Sequence, residues 1–173
     1  MLKTIGPEDF DAVYAIMEEA FPVSERRPYH GQRQLLEEED YTLYGYEKGG
    51  ELAAFMALWE LEPFIFTEHF AVSPAFRNQG MGETILGETF KVLHKPLILE
   101  VEEPEVSEMA RRRVGFYERN GFHLTEVAYD QPVLTPGGEI VPLRVMSWPE
   151  PLSPGDFQAA REEFFQKVYG QKK

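Results

Sequence analysis

Apolar side chains recur every three or four residues in five segments of the chain, and this spacing predicts amphipathic helices. The predicted helices cover residues 10–20, about 32–39, 81–93, 107–120 and 155–170. Shorter runs that alternate apolar with polar residues, or are apolar throughout, predict strands at residues 41–46, 52–60, 64–72, 97–101, 122–128 and 140–148. The order of these elements along the chain predicts a mixed α/β layered fold, because helices come first and are followed by a hairpin and then by alternating strands and helices.

Glycine and proline mark the ends of these elements. Gly49-Gly50 predicts a tight hairpin turn, and Thr135–Gly138 predicts a second turn. Gly121 follows the fourth helix, where it can adopt the left-handed conformation that ends a helix. Pro149–Pro154 predicts a linker before the last helix, and residues 171–173 are expected to fray.

The length and the hydropathy pattern point to one domain. With 173 residues, 43% of them hydrophobic, the chain can bury a core of its own, so we expect residues 1–173 to form a single domain. The longest apolar run, Leu52–Trp59, falls far short of the ~20 residues that span a bilayer. Residues 1–10 lack the apolar core of a signal peptide. We therefore expect a cytoplasmic protein outside the membrane.

Charge and residue types disfavour several kinds of partner. Thirty Asp and Glu against 17 Lys and Arg give a net charge of −13. This disfavours nucleic acid and anionic membranes, because both attract clustered positive charge. The chain has no cysteine, so no disulfide, thiolate zinc ligand or cysteine nucleophile is possible. The four histidines show no ligand spacing, and no metal is expected.

The segment Arg77–Gly82, which reads Arg-Asn-Gln-Gly-Met-Gly, lies between a predicted strand and a predicted helix. The first N–H groups of a helix have no acceptor within it, and the helix dipole makes this end positive. Glycines let the backbone approach an anion closely, so the segment predicts a phosphate site. A Walker loop would need Gly-Lys-Ser/Thr, and a Rossmann loop would need a third glycine where Ile85 stands, so both are disfavoured.

Together with the preceding His69-Phe70-Ala71-Val72, this segment resembles motif A of the GNAT N-acetyltransferase superfamily, which binds the pyrophosphate of acetyl-CoA. Leu99-Glu100-Val101 is similar to the family's next strand, and Phe116–Phe122 resembles motif B with its Tyr and Gly-Phe. The resemblance implies a mixed, mostly antiparallel sheet flanked by helices. It places acetyl-CoA where two central parallel strands, Glu68–Val72 and Leu97–Val101, splay apart. It also implies transfer of the acetyl group from the thioester to a primary amine of a small molecule or a peptide. Because the chain has no cysteine to form the commonest covalent intermediate, we expect this transfer to be direct.

The resemblance also implies roles for three side chains. Tyr117 is the expected general acid that protonates the departing thiolate. Glu100 is the first candidate for the base that takes the proton of the amine, and Glu68 is the second; water alone is a further alternative. His69 is a weaker candidate, because strand alternation should point it away from the face of Glu68.

The expected contacts with acetyl-CoA follow the same motif. Phe70 and Val72 would offer backbone groups to the pantetheine arm. The pyrophosphate would be lined mostly by amides of the residues that follow: Arg77, Gln79, Gly80, Met81, Gly82 and Glu83. The side chain of Glu83 is expected to turn away, because its charge would repel phosphate.

Two clues about the acceptor point in different directions. Arg26, Arg27 and Tyr29 fall in a loop that borders the acceptor groove in the family, and the arginines would suit a carboxylate. A group of acidic residues would instead suit a cationic amine, such as a polycationic drug. These residues are Glu60, Glu62, Glu102, Glu103 and Glu105.

Two alternatives stay open at the level of function and assembly. A non-catalytic acyl-CoA-binding sensor would keep the phosphate site without turnover. Phe164 and Phe165 on the last helix are compatible with packing on the domain and with bridging two subunits of a homodimer.

Overall fold

The computed structural model describes residues 1–133 and 137–170. Within these ranges the strands are β1 Leu2–Thr4, β2 Tyr41–Lys48, β3 Glu51–Glu60, β4 Ile65–Val72, β5 Leu97–Glu102, β6 His123–Gln131 and β7 Val141–Trp148. The helices are α1 Phe10–Ala20, α2 Tyr29–Gln34, α3 Met81–Phe90, α4 Glu108–Arg119 and α5 Pro154–Tyr169. The turn predicted at Thr135–Gly138 begins outside the described residues, and the predicted fraying of residues 171–173 lies outside them.

The hydrogen-bonded strands form a seven-stranded sheet with the order β1-β2-β3-β4-β5-β7-β6. Most pairs are antiparallel, one pair is parallel and helices flank the sheet, which confirms the predicted mixed α/β fold class. Internal contacts divide the chain into two compact units. The first holds Met1–Glu60 and Thr67–Leu93, and the second holds Leu61–Phe66, His94–Val133 and the described residues from Glu139 onward. The single domain and the splaying of the parallel strands stay predictions.

The β2–β3 hairpin is the centre of the first unit. Gly49 and Gly50 join its strands with φ values of +62° and +83°, which glycine adopts without the steric cost of a Cβ. Residues 53–59 of β3 are all buried, as their continuous apolar sequence predicts. β1, which was not predicted, pairs with β2 so that Leu2 faces Tyr46. A strand of three residues is too short to show a period of two.

The second unit has an aromatic core around α5. Phe157 stacks on Tyr129 with ring centroids 5.5 Å apart, and Phe164 meets Phe66 edge to face at 4.7 Å. Pairs of this kind contribute about 0.5–1.5 kcal/mol each beyond the area that they bury. Phe164 and Phe165 are 0% and 9% exposed, so both pack within this unit. The homodimer stays a prediction.

Two predicted helices differ in extent from the observed ones. α2 begins at Tyr29 rather than near Gln32, directly after the extended Pro28, and it gives way to a 3-10 turn at Leu35–Glu37. α3 ends at Phe90 rather than at residue 93, where two successive N–H groups share the carbonyl of Thr89, as is common at a helix end. Among the described residues, no helix has the length and apolar character needed to cross a membrane.

Candidate active site

The amino-terminal end of α3 is built by a left-handed turn. After β4 and a 3-10 turn, Asn78 and Gly80 take φ values of +60° and +73°, and Gly80 becomes the residue that precedes the first helical turn. The first N–H groups of a helix have no acceptor within it, and no side chain in the described part of the chain caps this end. Apart from its chain neighbours, a Cβ placed on Gly80 would meet none of the described residues within 4 Å, which leaves open space in front of the turn. The charge and the room at this end therefore suit an anion.

The polar side chains around this turn are engaged within the first unit. Arg77 donates to both carboxylate oxygens of Glu19 and, through Nε, to the carbonyl of Val72 at 3.4 Å. Gln79 donates to the carbonyl of Ala75 at 3.0 Å, and Glu83 is exposed in the first turn of α3. With Arg77 and Gln79 engaged in this way, the anion site predicted at Arg77–Gly82 would consist of backbone amides, and it stays a prediction.

A buried ion pair joins Glu68 of β4 to Arg27 of the loop that precedes α2. Arg27 donates through Nη1 to Oε1 of Glu68 at 2.5 Å, and Trp59 donates through Nε1 to the other oxygen at 3.1 Å. The side chains of Arg27 and Glu68 are 13% and 3% exposed. The structure therefore joins a predicted substrate residue to a predicted base. Trp59 was missed as a site residue, because it stands in an apolar strand whose sequence indicates only burial.

His69 lies beside this pair. Its Nε2 is 2.7 Å from the carbonyl oxygen of Glu25, which can only accept, so Nε2 carries the proton of the neutral ring. Nδ1 then carries no proton and can accept a hydrogen bond. It is buried, and it has no hydrogen-bond partner among the described residues. It lies 3.8 Å from Oε2 of Glu68. Burial lowers the pKa of His69, an effect that the nearby Glu68 carboxylate opposes. The alternation of the strand did not predict this proximity.

The other predicted substrate residues make internal contacts. Arg26 donates to the carbonyl of Phe21 and to the Tyr14 hydroxyl at 3.2 and 3.1 Å. The Tyr14 hydroxyl in turn donates to the carbonyl of Arg27 at 3.1 Å. Tyr29, 39% exposed, donates to Asp11. Arg27 is thus a predicted substrate residue that the structure joins to Glu68.

In the second unit, Tyr117 lies on α4 between two aromatic rings. The Phe116 and Phe122 rings are both 5.3 Å from its own, and its side chain is buried. Burial raises the pKa of Tyr117 to about 12, although the charge of Arg113 acts in the opposite direction. The phenol therefore keeps its proton at neutral pH, as a general acid must.

Glu100, also in the second unit, is held by a tyrosine of the last helix. The Tyr169 hydroxyl donates to Oε1 of Glu100 at 2.5 Å. Tyr129 stands close by: its pKa is raised well above the ordinary value by burial first and then by the charge of Glu100. No sequence pattern indicated that the carboxyl end of α5 would contact β5. The hydrogen bond from Tyr169 connects Glu100 of β5 to α5.

Two further predictions concern the cofactor contacts near the end of β4 and the absence of a metal. Phe70 and Val72 are both half-buried there. Among the described residues, no group of three or more metal-ligating side chains could hold a metal ion. The prediction that the protein needs no metal stays a prediction.

Comparison with known proteins shows which family the chain is similar to. A family model described as the acetyltransferase (GNAT) domain matches residues 39–124. A GNAT-family acetyltransferase structure from Bacteroides thetaiotaomicron is 31% identical, with 99% of both chains covered and a TM-score of 0.90. The Bacillus subtilis protein YjbC, named as an acetyltransferase, is 26% identical over 90% of this chain and 80% of its own. Arabidopsis thaliana NAA60, solved in complex with acetyl-CoA, is 14% identical over 86% of this chain and 97% of its own. Its TM-score of 0.64 is a likeness of fold alone.

Proposed function

Because this chain belongs to the GNAT family of acetyltransferases and is an acyltransferase, we propose that it transfers an acetyl group from acetyl-CoA directly to a primary amine. The acceptor is a small molecule or a peptide, and the reaction takes place in the cytoplasm. A covalent enzyme intermediate is not required, and the chain has no cysteine to form the commonest one.

The observation that carries this proposal is the uncapped amino-terminal end of α3. The backbone N–H groups from Gly80 to Glu83 would hold the pyrophosphate of acetyl-CoA, because an anion complements both the helix dipole and the open space. Arg77 would join them by leaving Glu19. That exchange costs little, since the two side chains are 44% and 46% exposed and surface ion pairs contribute about 0–1 kcal/mol. The likeness in fold to NAA60, which was solved with acetyl-CoA, supports the same ligand here.

We assign the general acid to Tyr117. The thioester of acetyl-CoA supplies the acetyl group, and its departing thiolate needs a proton. Tyr117 holds its proton firmly in the free enzyme, because burial raises its pKa to about 12. A negative charge that develops on sulfur close to the hydroxyl would draw this proton, which makes the phenol an acid only at the moment of thiolate release.

We assign the base to Glu68 and keep Glu100 as the second candidate. The Tyr169 hydroxyl donates to Glu100, which belongs to the aromatic surroundings of α5. Glu68 instead forms an ion pair with Arg27 of the predicted acceptor loop and lies beside the unprotonated Nδ1 of His69. Its contacts with that loop favour Glu68 as the group that receives the amine of the acceptor.

The test measures thiol release from acetyl-CoA with a panel of primary amines, together with acetyl-CoA binding by calorimetry. Release that depends on an amine, with stoichiometric N-acetylated product, supports the proposal. Tight binding without release on any amine would favour the acyl-CoA sensor and contradict it. Release that matches the rate without amine would mean hydrolysis rather than transfer.

A further inference from the structure

We propose that Trp59 is a positioning residue for the acetyl transfer. Its indole N–H holds Oε2 of Glu68, which leaves Oε1 as the oxygen that takes the proton of the acceptor amine. The inference rests on the proposed function, in which Glu68 is the base, and it adds a residue that acts only through Glu68.

The hydrogen bond between Trp59 and Glu68 is the first argument. Indole has one N–H donor and no acceptor, and a buried N–H group needs a partner. Trp59 and the side chain of Glu68 are both 3% exposed, and Nε1 lies 3.1 Å from Oε2. If Glu68 turned Oε2 away, this N–H group would lose the acceptor that the structure gives it. The bond therefore favours one orientation of the carboxylate.

The packing around Trp59 is the second argument. Trp59 ends the buried run of β3, and it pairs in register with Tyr41 of β2. The two rings meet edge to face with centroids 5.1 Å apart, and Gln32 of α2 donates to the Tyr41 hydroxyl at 3.3 Å. All three side chains are buried. Close packing of this kind keeps a side chain in one rotamer, so the direction of the indole N–H is fixed.

The surroundings of the two carboxylate oxygens are the third argument. Oε2 faces buried groups, which are the Trp59 N–H and His69 Nδ1 at 3.8 Å. Oε1 instead meets Arg27 of the loop that precedes α2, whose side chain is 13% exposed. A carboxylate oxygen can accept more than one hydrogen bond, so an amine can bind Oε1 while Arg27 stays in place. The oxygen on the side of the predicted acceptor loop is therefore Oε1.

The role of Trp59 follows from the proton transfers that the reaction needs. Oε1 of Glu68 takes one proton from the ammonium, and the nitrogen then bonds to the acetyl carbon as the bond from that carbon to sulfur breaks. The nitrogen loses a second proton to solvent, and Tyr117 protonates the thiolate. Glu68 afterwards gives its proton to solvent, from which Tyr117 recovers one. Trp59 exchanges no proton. It keeps Glu68 ionised and oriented, because a hydrogen bond accepted by a carboxylate favours the charged form.

The first test measures kcat, KM and their pH dependence for Trp59→Phe, with acetyl-CoA and the best amine of the panel. We expect kcat to fall by at least about tenfold, the size of one hydrogen bond to a charged group, with KM for acetyl-CoA unchanged. The acid limb of the profile should move to higher pH by about 0.5–1 unit, because the variant favours the ionised carboxylate less. Trp148→Phe, the matched change at the other tryptophan of the chain, should leave both unchanged.

Other charged or titratable groups near Glu68 are Arg27 from the loop before α2, Tyr41 from β2 and His69 from β4. Arg27 stays charged across the profile. Tyr41 stays neutral, because burial raises its pKa. His69 can titrate, so the effect of Trp59→Phe is measured again in a His69→Asn background. A shift of the acid limb that vanishes there would belong to His69 and would overturn the inference.

A double variant separates positioning from packing. If Trp59 acts through Glu68, Trp59→Phe should change kcat little once Glu68→Gln has removed the base. A loss of packing would instead lower kcat by the same factor with and without Glu68. Equal factors in the two backgrounds would therefore overturn the inference.

A readout without turnover protects the test against a variant that folds poorly. In a Trp148→Phe background, the fluorescence of Trp59 should change with pH as Glu68 takes up a proton, and Glu68→Gln should remove this change. No change, or a change that persists in Glu68→Gln, would overturn the inference. Full turnover of Trp59→Phe would do the same and leave the proposed function standing. Failure of every amine to release thiol would contradict the proposed function itself, and the inference would fall with it.

Discussion

The bond between Tyr169 and Glu100 gives a prediction that separates a structural carboxylate from a catalytic one. Tyr169→Phe keeps the ring and deletes the hydroxyl that donates to Glu100 Oε1 at 2.5 Å. A hydrogen bond to a charged group contributes about 1.5–3 kcal/mol. Because both side chains are half-buried rather than fully enclosed, the lower end applies. We expect the free energy of unfolding to fall by about 1.5 kcal/mol.

The measurement is urea unfolding followed by circular dichroism, with a thermal melt in parallel. For a chain of this size, a loss of about 1.5 kcal/mol lowers Tm by about 3–6 °C. The matched control is Tyr29→Phe, which removes a hydroxyl that also donates to a carboxylate, but from a side chain that is 39% exposed. The control should change stability by no more than about 0.5 kcal/mol. Equal losses in the two variants would refute the reasoning.

The turnover of the variants tests the same distinction between a structural and a catalytic role of Glu100. If Glu100 serves to hold α5, Tyr169→Phe and Glu100→Gln both lose stability but keep most of their kcat at a temperature where they are folded. A drop in kcat of more than about a hundredfold in folded Glu100→Gln, the size expected for loss of a general base, would return Glu100 to that role and displace Glu68.

Three further predictions concern single residues. Tyr117→Phe should lower kcat by about 10²–10⁴-fold and leave the affinity for acetyl-CoA unchanged, and full turnover would remove the acid role. Burial lowers the pKa of His69. The neutral ring therefore makes its full contribution to the free energy of unfolding above the unfolded pKa of about 6.5, and this contribution is lost as the pH falls below that value. His69→Asn should therefore flatten the fall in the free energy of unfolding between about pH 7 and pH 5, and an unchanged slope contradicts this. Gly80→Ala, at a φ of +73°, should cost about 1 kcal/mol and weaken acetyl-CoA binding in calorimetry. Gly87→Ala lies inside α3, where the new Cβ would meet no described residue beyond its own helical backbone within 4 Å. It should stabilise by about 0.5–1 kcal/mol, and equal effects of the two alanines would argue against the left-handed turn.

Local features of the fold and of the site could be predicted because their causes lie within a few residues. Ser107 caps α4 by accepting from the Ala110 N–H at 3.0 Å, and Gly121 follows the same helix with a φ of +89°. The start of α3 is local in the same way, since it depends on the freedom of Gly80 to take a left-handed conformation. Motifs of this kind therefore indicated the helices, and they are also the basis on which the anion site is predicted.

The partners of the charged side chains could not be predicted, because they come from distant parts of the chain. Arg27 and Glu68 are 41 residues apart, and Tyr169 and Glu100 are 69 apart. The loop beyond α1 brings the first pair together, and the packing of α5 brings together the second. Neither spacing follows a helical or strand period, so periodicity carries no information about these contacts.

Apart from the three-residue β1, the sequence by itself determined the order of helices and strands, the open start of α3 and the chemical types of most candidate site residues, because caps, turns and hydropathy periods act between close neighbours. Only the tertiary structure decided which carboxylate meets Arg27 and which one contacts the last helix. The physical reason is that a buried charge needs a partner at hydrogen-bond distance, and that partner is chosen by the packing of whole elements.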